Sequence, residues 1–281
     1  ILARVIVGYW FVPRYYEEEI YSPYQYIGNR LGPPARAATS ALFILGGMMG
    51  QGARVLLTAI VLDVVTGIGV YQSIWIVGVV AIAWTFIGGI RAVIWTDVIQ
   101  FIIFTATAFL TLGIVLLRFR TPGGESGLGA LIDLAARDGK FHWIELSLDP
   151  RQSYTLAAGL VASTIVGLAA YGTDQMLVQR LFCCRGPSQA RKAIIWSSLG
   201  QILMLVCLLV GVGLWAFYYE SGLPGVPLAP EIQAIEQSPD RLLPIFVKYR
   251  VHWLAGGVMV AGIFAAAISS LTSILAALAQ Q

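Results

Sequence analysis

Charge is scarce in this chain. Only 12% of its 281 residues are Asp, Glu, Lys or Arg, against about 25% in ordinary soluble domains. Another 58% are hydrophobic, and the mean hydropathy is +0.77. That composition excludes a water-soluble globular domain. Histidine is scarcer still: His142 and His252 are the two present, and both lie in or beside polar connections. A nucleophile paired with a histidine base at membrane depth is therefore excluded, as is a zinc site of the usual Cys/His spacing. The three cysteines, Cys183, Cys184 and Cys207, imply no disulfide framework. The glycines of RTPGGESGLG are not followed by the GK[ST] of a phosphate loop. Neither an enzyme nor a nucleic-acid binder is expected.

Long apolar runs are what the sequence does have. A hydrocarbon core of about 30 Å needs about 20 residues of helix, and six runs meet that length: 36–62, 71–90, 93–118, 153–178, 193–219 and 251–279. The opening run ILARVIVGYWFV is too short to span and reads as the tail of a truncated helix. LAALAQQ stops inside a helical pattern, so the chain reads as part of something longer. Arg and Lys near short loops set orientation. Arg14, Arg30 and Arg36, then Arg91, then Arg180, Arg185, Arg191 and Lys192 put three connections on the cytoplasmic side. Residues 119–152 and 220–250 then face outward and carry most of the remaining acids. The whole of 1–281 reads as one transmembrane domain, with 13–35 an inner loop bearing an interfacial helix at 22–30. In 119–152, Leu131, Leu134 and Ala135 make a short amphipathic face.

Polar groups inside the spans carry the functional signal, because each costs energy unless it pairs or lines a cavity. In FAAAISSLTSILAA, Ser269, Ser270, Thr272 and Ser273 fall within about 160° of one another on a helix, together with the backbone near Ala266. Two readings are open: bonding back to their own helix carbonyls, or hard oxygen ligands for a dehydrated cation such as Na⁺. Asp97, near the start of the apolar run 93–118, is either a helix cap or the negative charge of that site. Arg54 sits well inside the apolar run 36–62 and cannot deprotonate. It either pairs with another helix or receives an anionic solute. In GLAAYGTDQMLVQR, Gly167, Gly172 and Thr173 loosen a helix at membrane depth, as in transporters that expose backbone to cargo.

Three stretches resemble one known family, the sodium:solute symporters. FIGGIRAVIWTDVIQ is similar to its most characteristic segment, YGTDQMLVQRLFCCRGPSQARKA to another, and FAAAISSLTS to its sodium-binding helix. The resemblance implies an all-α integral membrane protein with the leucine-transporter-type inverted-repeat bundle, here partial, running from inside the second core helix into the eighth. It implies Na⁺ held by Ala266, Ser269 and Ser270, with a second site at Ser270, Thr272, Ser273 and Asp97. The solute is expected against Arg54, Gly167, Ala170, Tyr171 and Gln175. Gly167 and Ala170 stand where sugar carriers of the family have an Asn and a Tyr, which disfavours a neutral hexose. Arg54 resembles the branch carrying carboxylates such as sialic acid. The function implied is sodium-driven uptake of a small organic solute across a plasma or inner membrane. A solute-sensing module of a signalling protein and an inactive fragment or scaffold are the other readings.

Overall fold

The computed structural model describes residues 1–121, 124–140, 145–147, 149, 151–152, 155–220 and 229–279, and within these the side chains of 84–85, 87–93, 219–220 and 229–230 lie outside the description. His142, the Arg91 side chain and the proline-rich 221–228 fall outside it. The described backbone is helical. The helices are α1 (Leu2–Ile6), α2 (Val12–Glu17), α3 (Pro23–Leu31), α4 (Pro33–Thr66), α5 (Val70–Arg118), α6 (Gly127–Arg137) and α7 (Leu156–Leu168). They are followed by α8 (Gln175–Phe182), α9 (Pro187–Trp196), α10 (Gln201–Trp215), α11 (Ala229–Gln237), α12 (Leu242–Arg250) and α13 (Trp253–Leu278). Three π-helical turns occur among the described residues, Val7–Phe11 between α1 and α2, Ala169–Thr173 after α7 and Ala216–Glu220 after α10. Among the described residues five segments are long and apolar enough to cross a membrane: Pro33–Thr66, Ile94–Arg118, Leu156–Thr173, Pro187–Tyr218 and Trp253–Leu278.

Local chemistry explains the boundaries. The interfacial helix expected at 22–30 is α3: the Ser22 hydroxyl accepts from the Tyr24 amide at 3.2 Å, Pro23 fills the first turn, and Gly32 at φ 91° ends it. Between α4 and α5, Gly67 and Gly69 take φ of 75° and 94°, and the Asp63 carboxylate accepts from the Gly69 amide at 3.0 Å. Glycine has no Cβ to clash there. The spans expected at 71–90 and 93–118 form a single 49-residue helix, with no loop at Arg91. The physical reason is that FIGGIRAVIW contains no proline. Two glycines cost only about 1 kcal/mol each in a helix interior, too little to end one flanked by strongly apolar turns.

The chain folds as two units. The first is residues 1–50, 142–200 and 273–281. Its core is Val7, Val12, Leu181, Ala190 and Ile194, with a second cluster of Tyr15, Ile20 and Val178. The Tyr16 hydroxyl, on α2, donates to the carbonyls of Leu181 (2.6 Å) and Cys184 (3.1 Å), and the Tyr15 hydroxyl donates to the Gly172 carbonyl at 2.8 Å. The loop 13–35 is thereby tied to the segment after α7.

The second unit is residues 51–141 and 201–272. Val115, Leu214, Phe217, Phe246 and Met259 form its main core, and Leu131 and Ala135 of α6 turn inward as the amphipathic pattern predicts. Helices in lipid associate through close packing at small residues more than through apolar burial. A Cβ on Gly213 would lie 2.6 Å from a Val115 methyl, and one on Gly262 would lie 2.2 Å from the Thr107 hydroxyl. In the same unit Arg250 grips Glu231 with two hydrogen bonds of 2.6 and 3.1 Å.

Candidate functional site

The hydroxyl ladder of α13 is divided by what each group meets. Asp97, Ala266, Ser269, Ser270 and Thr272 belong to the second unit, and Ser273 to the first. The Ser269 hydroxyl donates to Asp97 Oδ1 at 2.6 Å, across 172 residues of sequence. Asp97 lies in the interior of α5, so the helix-cap reading of this residue is closed. A carboxylate and a hydroxyl in contact on two helices form the start of a hard-oxygen ligand set, the kind a small hard cation prefers. Thr272 is fully buried, and its hydroxyl turns back to the carbonyls of Ile268 (3.0 Å) and Ser269 (3.1 Å). Ser270 and Ala266 are half-buried beside it.

In the first unit the Ser273 hydroxyl accepts from Arg180 Nη2, and its carbonyl accepts from Gln179 Nε2 at 3.3 Å. A guanidinium in contact repels a second cation, so Ser273 faces different electrostatics from Ser269. Neither Arg180 nor Gln179 was singled out as a neighbour of the hydroxyl ladder by the sequence.

The residues expected against the solute divide in the same way. Arg54, in the second unit, is exposed and has no acidic partner among the described residues; its carbonyl accepts from the Thr58 hydroxyl at 2.8 Å. Gly167, Ala170, Tyr171 and Gln175 belong to the first. Gly167 is buried where α1 passes, and a Cβ on it would lie 2.7 Å from Ala3 Cβ. Ala170 is half-buried in the π-helical turn. Gln175 is fully buried, and its amide donates to the Tyr21 carbonyl at 3.3 Å, which anchors the inner loop. Asp174 caps α8 by accepting from the Met176 amide at 2.8 Å. The helix therefore loosens at Ala169–Thr173 and restarts at Asp174, close to where Gly167, Gly172 and Thr173 suggest it.

Tyr171 meets a residue that the sequence reading passed over. Its hydroxyl accepts from Arg4 Nη2 at 2.7 Å, and the Arg4 guanidinium carbon lies 4.4 Å from its ring centre. The signal was present: Arg4 is a permanent charge inside an apolar run, as Arg54 is. The run is too short to read as a span, so a charge within it does not stand out as one at membrane depth.

Comparison with known proteins adds to this geometry. The model of the sodium:solute symporter family matches residues 1–280. Among curated proteins the chain is 28% identical to a bovine (Bos taurus) sodium-coupled monocarboxylate transporter 2, over 99% of this chain and 43% of that protein. It is 30% identical to a putative sodium-dependent multivitamin transporter of Drosophila melanogaster, over 99% of this chain and 44% of that protein, and 27% identical to the human sodium/iodide cotransporter over 88% and 36%. The chain thus spans about two fifths of the length of the curated relatives it matches. Its fold matches that of a Na⁺-coupled sialic acid symporter solved substrate-bound and outward-open, with a TM-score of 0.84 at 24% identity, over 99% of this chain and 57% of that one. The partial leucine-transporter-type bundle is the fold expected from the sequence.

Proposed function

The chain belongs to the sodium:solute symporter family, and on that premise we propose that the intact protein is a sodium-coupled secondary carrier that imports a small organic carboxylate by alternating access. The observation that carries the reading is the Ser269–Asp97 contact at 2.6 Å between α13 and α5. The names of the relatives support it, since they include sodium-coupled monocarboxylate and multivitamin transporters. A sodium/iodide cotransporter and a sialic acid symporter widen the solute class to anions generally.

In this mechanism Ser269 keeps its proton on Asp97 and turns an oxygen lone pair toward Na⁺, so both groups serve one ion. Ser270 and the Ala266 carbonyl complete the near side. Thr272 contributes the lone pair its back-bond leaves unused. Bound sodium then holds α13 in the packing that receives the solute, and rocking of one helix bundle against the other releases both inward. Each charge entering through 100 mV supplies about 2.3 kcal/mol, a concentration ratio of about 50. A plasma or inner membrane, across which cells hold a sodium gradient, is the proposed location.

Uptake of labelled lactate, nicotinate and sialic acid by the intact gene product in liposomes tests this, with an inward Na⁺ gradient against K⁺. Sodium-driven accumulation that disappears in S269A is the expected result. Uptake indifferent to sodium with every solute overturns the reading.

A further inference from the structure

The first unit holds a buried cation with which no described carboxylate forms an ion pair. Arg4 in α1 is 7% exposed. One nitrogen, Nη2, donates to the Tyr171 hydroxyl, while Nε and Nη1 are buried without an acceptor. No carboxylate among the described residues forms an ion pair with it. The guanidinium cannot relieve its burial by losing a proton. Tyr171 accepts from Arg4, and its own O–H proton has no acceptor among the described residues. Two adjoining side chains therefore present a surplus of donors and a full positive charge, with no acceptor to answer either.

The backbone is shaped to bring them together. Gly167 lets α1 approach α7 so closely that a Cβ would meet Ala3 at 2.7 Å. One turn later Tyr171 stands in the π-helical stretch Ala169–Thr173. A second π-helical stretch, Val7–Phe11, packs against it, with Val7 and Phe11 each 3.2 Å from where a Gly172 Cβ would be. Such turns are frequent at functional sites. A strut between two helices needs only the contact of the guanidinium with the ring, and leaves the buried Nε and Nη1 unexplained.

We propose that Arg4 and Tyr171 are the carboxylate receptor of this carrier. One carboxylate oxygen accepts from Arg4 Nε or Nη1, and the other accepts from the Tyr171 hydroxyl. Charge-assisted hydrogen bonds of this kind are the strong ones and favour an anion over its neutral isostere. The inference rests on the carrier reading above and gives it a substrate class: a small organic carboxylate read at the α1–α7 contact, with charge recognition at Arg4 instead of the exposed Arg54.

Nicotinate and nicotinamide, alike in shape and different in charge, are the probes. Equilibrium dialysis on the purified intact protein measures binding, and liposome uptake measures KM. In R4Q the nicotinate affinity and KM should weaken by about tenfold or more, the size expected for a lost hydrogen bond to a charged group, with the sodium concentration for half-maximal effect unchanged. Y171F keeps the ring and its contact with the cation but removes the hydroxyl, and should weaken nicotinate by about threefold to tenfold. R4K should recover part of the loss. Nicotinate KM within about twofold of wild type in R4Q or Y171F, outside the loss expected for such a bond, makes Arg4 a strut and overturns the proposal. If R4Q fails to fold, Y171F decides. Iodide displacing nicotinate as well as other carboxylates do would also overturn it, because a two-oxygen grip does not suit a halide. If the wild type shows no sodium-driven uptake, the carrier reading fails separately. Dialysis then decides the receptor: binding of nicotinate that Arg4 governs sustains it, and no binding ends it.

Discussion

A carboxylate inside a membrane-spanning helix is costly unless something answers its charge, and at Asp97 the Ser269 hydroxyl does so at 2.6 Å. A hydrogen bond to an ion is worth about 1.5–3 kcal/mol. S269A should therefore raise the Na⁺ concentration for half-maximal uptake by about 10- to 100-fold, and D97N, which removes the charge, by at least as much. S163A is the control, since that hydroxyl returns to the Gly159 carbonyl of its own helix; equal effects at the two serines would count against the sodium site. At the inner loop, burial pushes the phenols of Tyr15 and Tyr24 up. Neighbouring Tyr26 adds to the first, and the charge of Asp174 to the second, which reaches about 12 against an ordinary 10.0. The fold holds these protons more tightly than the unfolded chain does. Their stabilisation is present in full below pH 10 and is lost as pH rises through about 12. In an alkaline titration followed by phenolate absorbance, Y24F should delete a late-titrating component; an unchanged curve would count against the buried phenol.

Elements meet here through glycine and, among the described residues, through the largely buried Glu231–Arg250 pair. G262A would place a Cβ 2.2 Å from the Thr107 hydroxyl, which donates to the Val258 carbonyl at 3.3 Å across the α5–α13 contact. Overpacking of this kind costs about 1–3 kcal/mol. On the same helix Gly257 has open space around it, so G257A should be neutral or stabilise by about 0.5–1 kcal/mol. Thermal unfolding in detergent compares them, and equal midpoints would dismiss the close contact. Glu231 holds Arg250 through two hydrogen bonds and also accepts from the Tyr218 hydroxyl at 3.0 Å, with the pair's side chains 12% and 14% exposed. Removing one member of such a pair costs about 3–5 kcal/mol. E231Q should thus lower the midpoint clearly. E18Q breaks the pair with Arg30, whose side chain is 63% exposed, and should change stability by about 1 kcal/mol or less.

For the molecule as a whole, a ligand that binds the folded state alone stabilises it, by about 2.7 kcal/mol at a hundred times its dissociation constant. Na⁺ should raise the unfolding midpoint of the intact protein by several degrees over K⁺, and D97N should abolish the difference; the same rise in D97N would place sodium elsewhere. Much of the molecule was legible in its residues. The apolar runs, the interfacial helix capped by Ser22, the inward face of Leu131 and Ala135 and the loosened turn before Asp174 are local matters of hydropathy, period and capping. The continuity of α5 through 87–93 was less legible, because glycines and a basic residue look alike in a loop and in a tolerant helix. The buried Gln175 amide holds the Tyr21 carbonyl, a partner 154 residues away that spacing does not point to. The sequence by itself determined a helical membrane chain of the symporter pattern with a row of hydroxyls on one helix, since those properties are written within a few turns of each residue. Only the tertiary structure decided which polar groups meet. Ser269 finds Asp97 across 172 residues and Arg4 finds Tyr171 across 167, and partners so distant are chosen by which helices pack, a choice that composition and spacing do not encode.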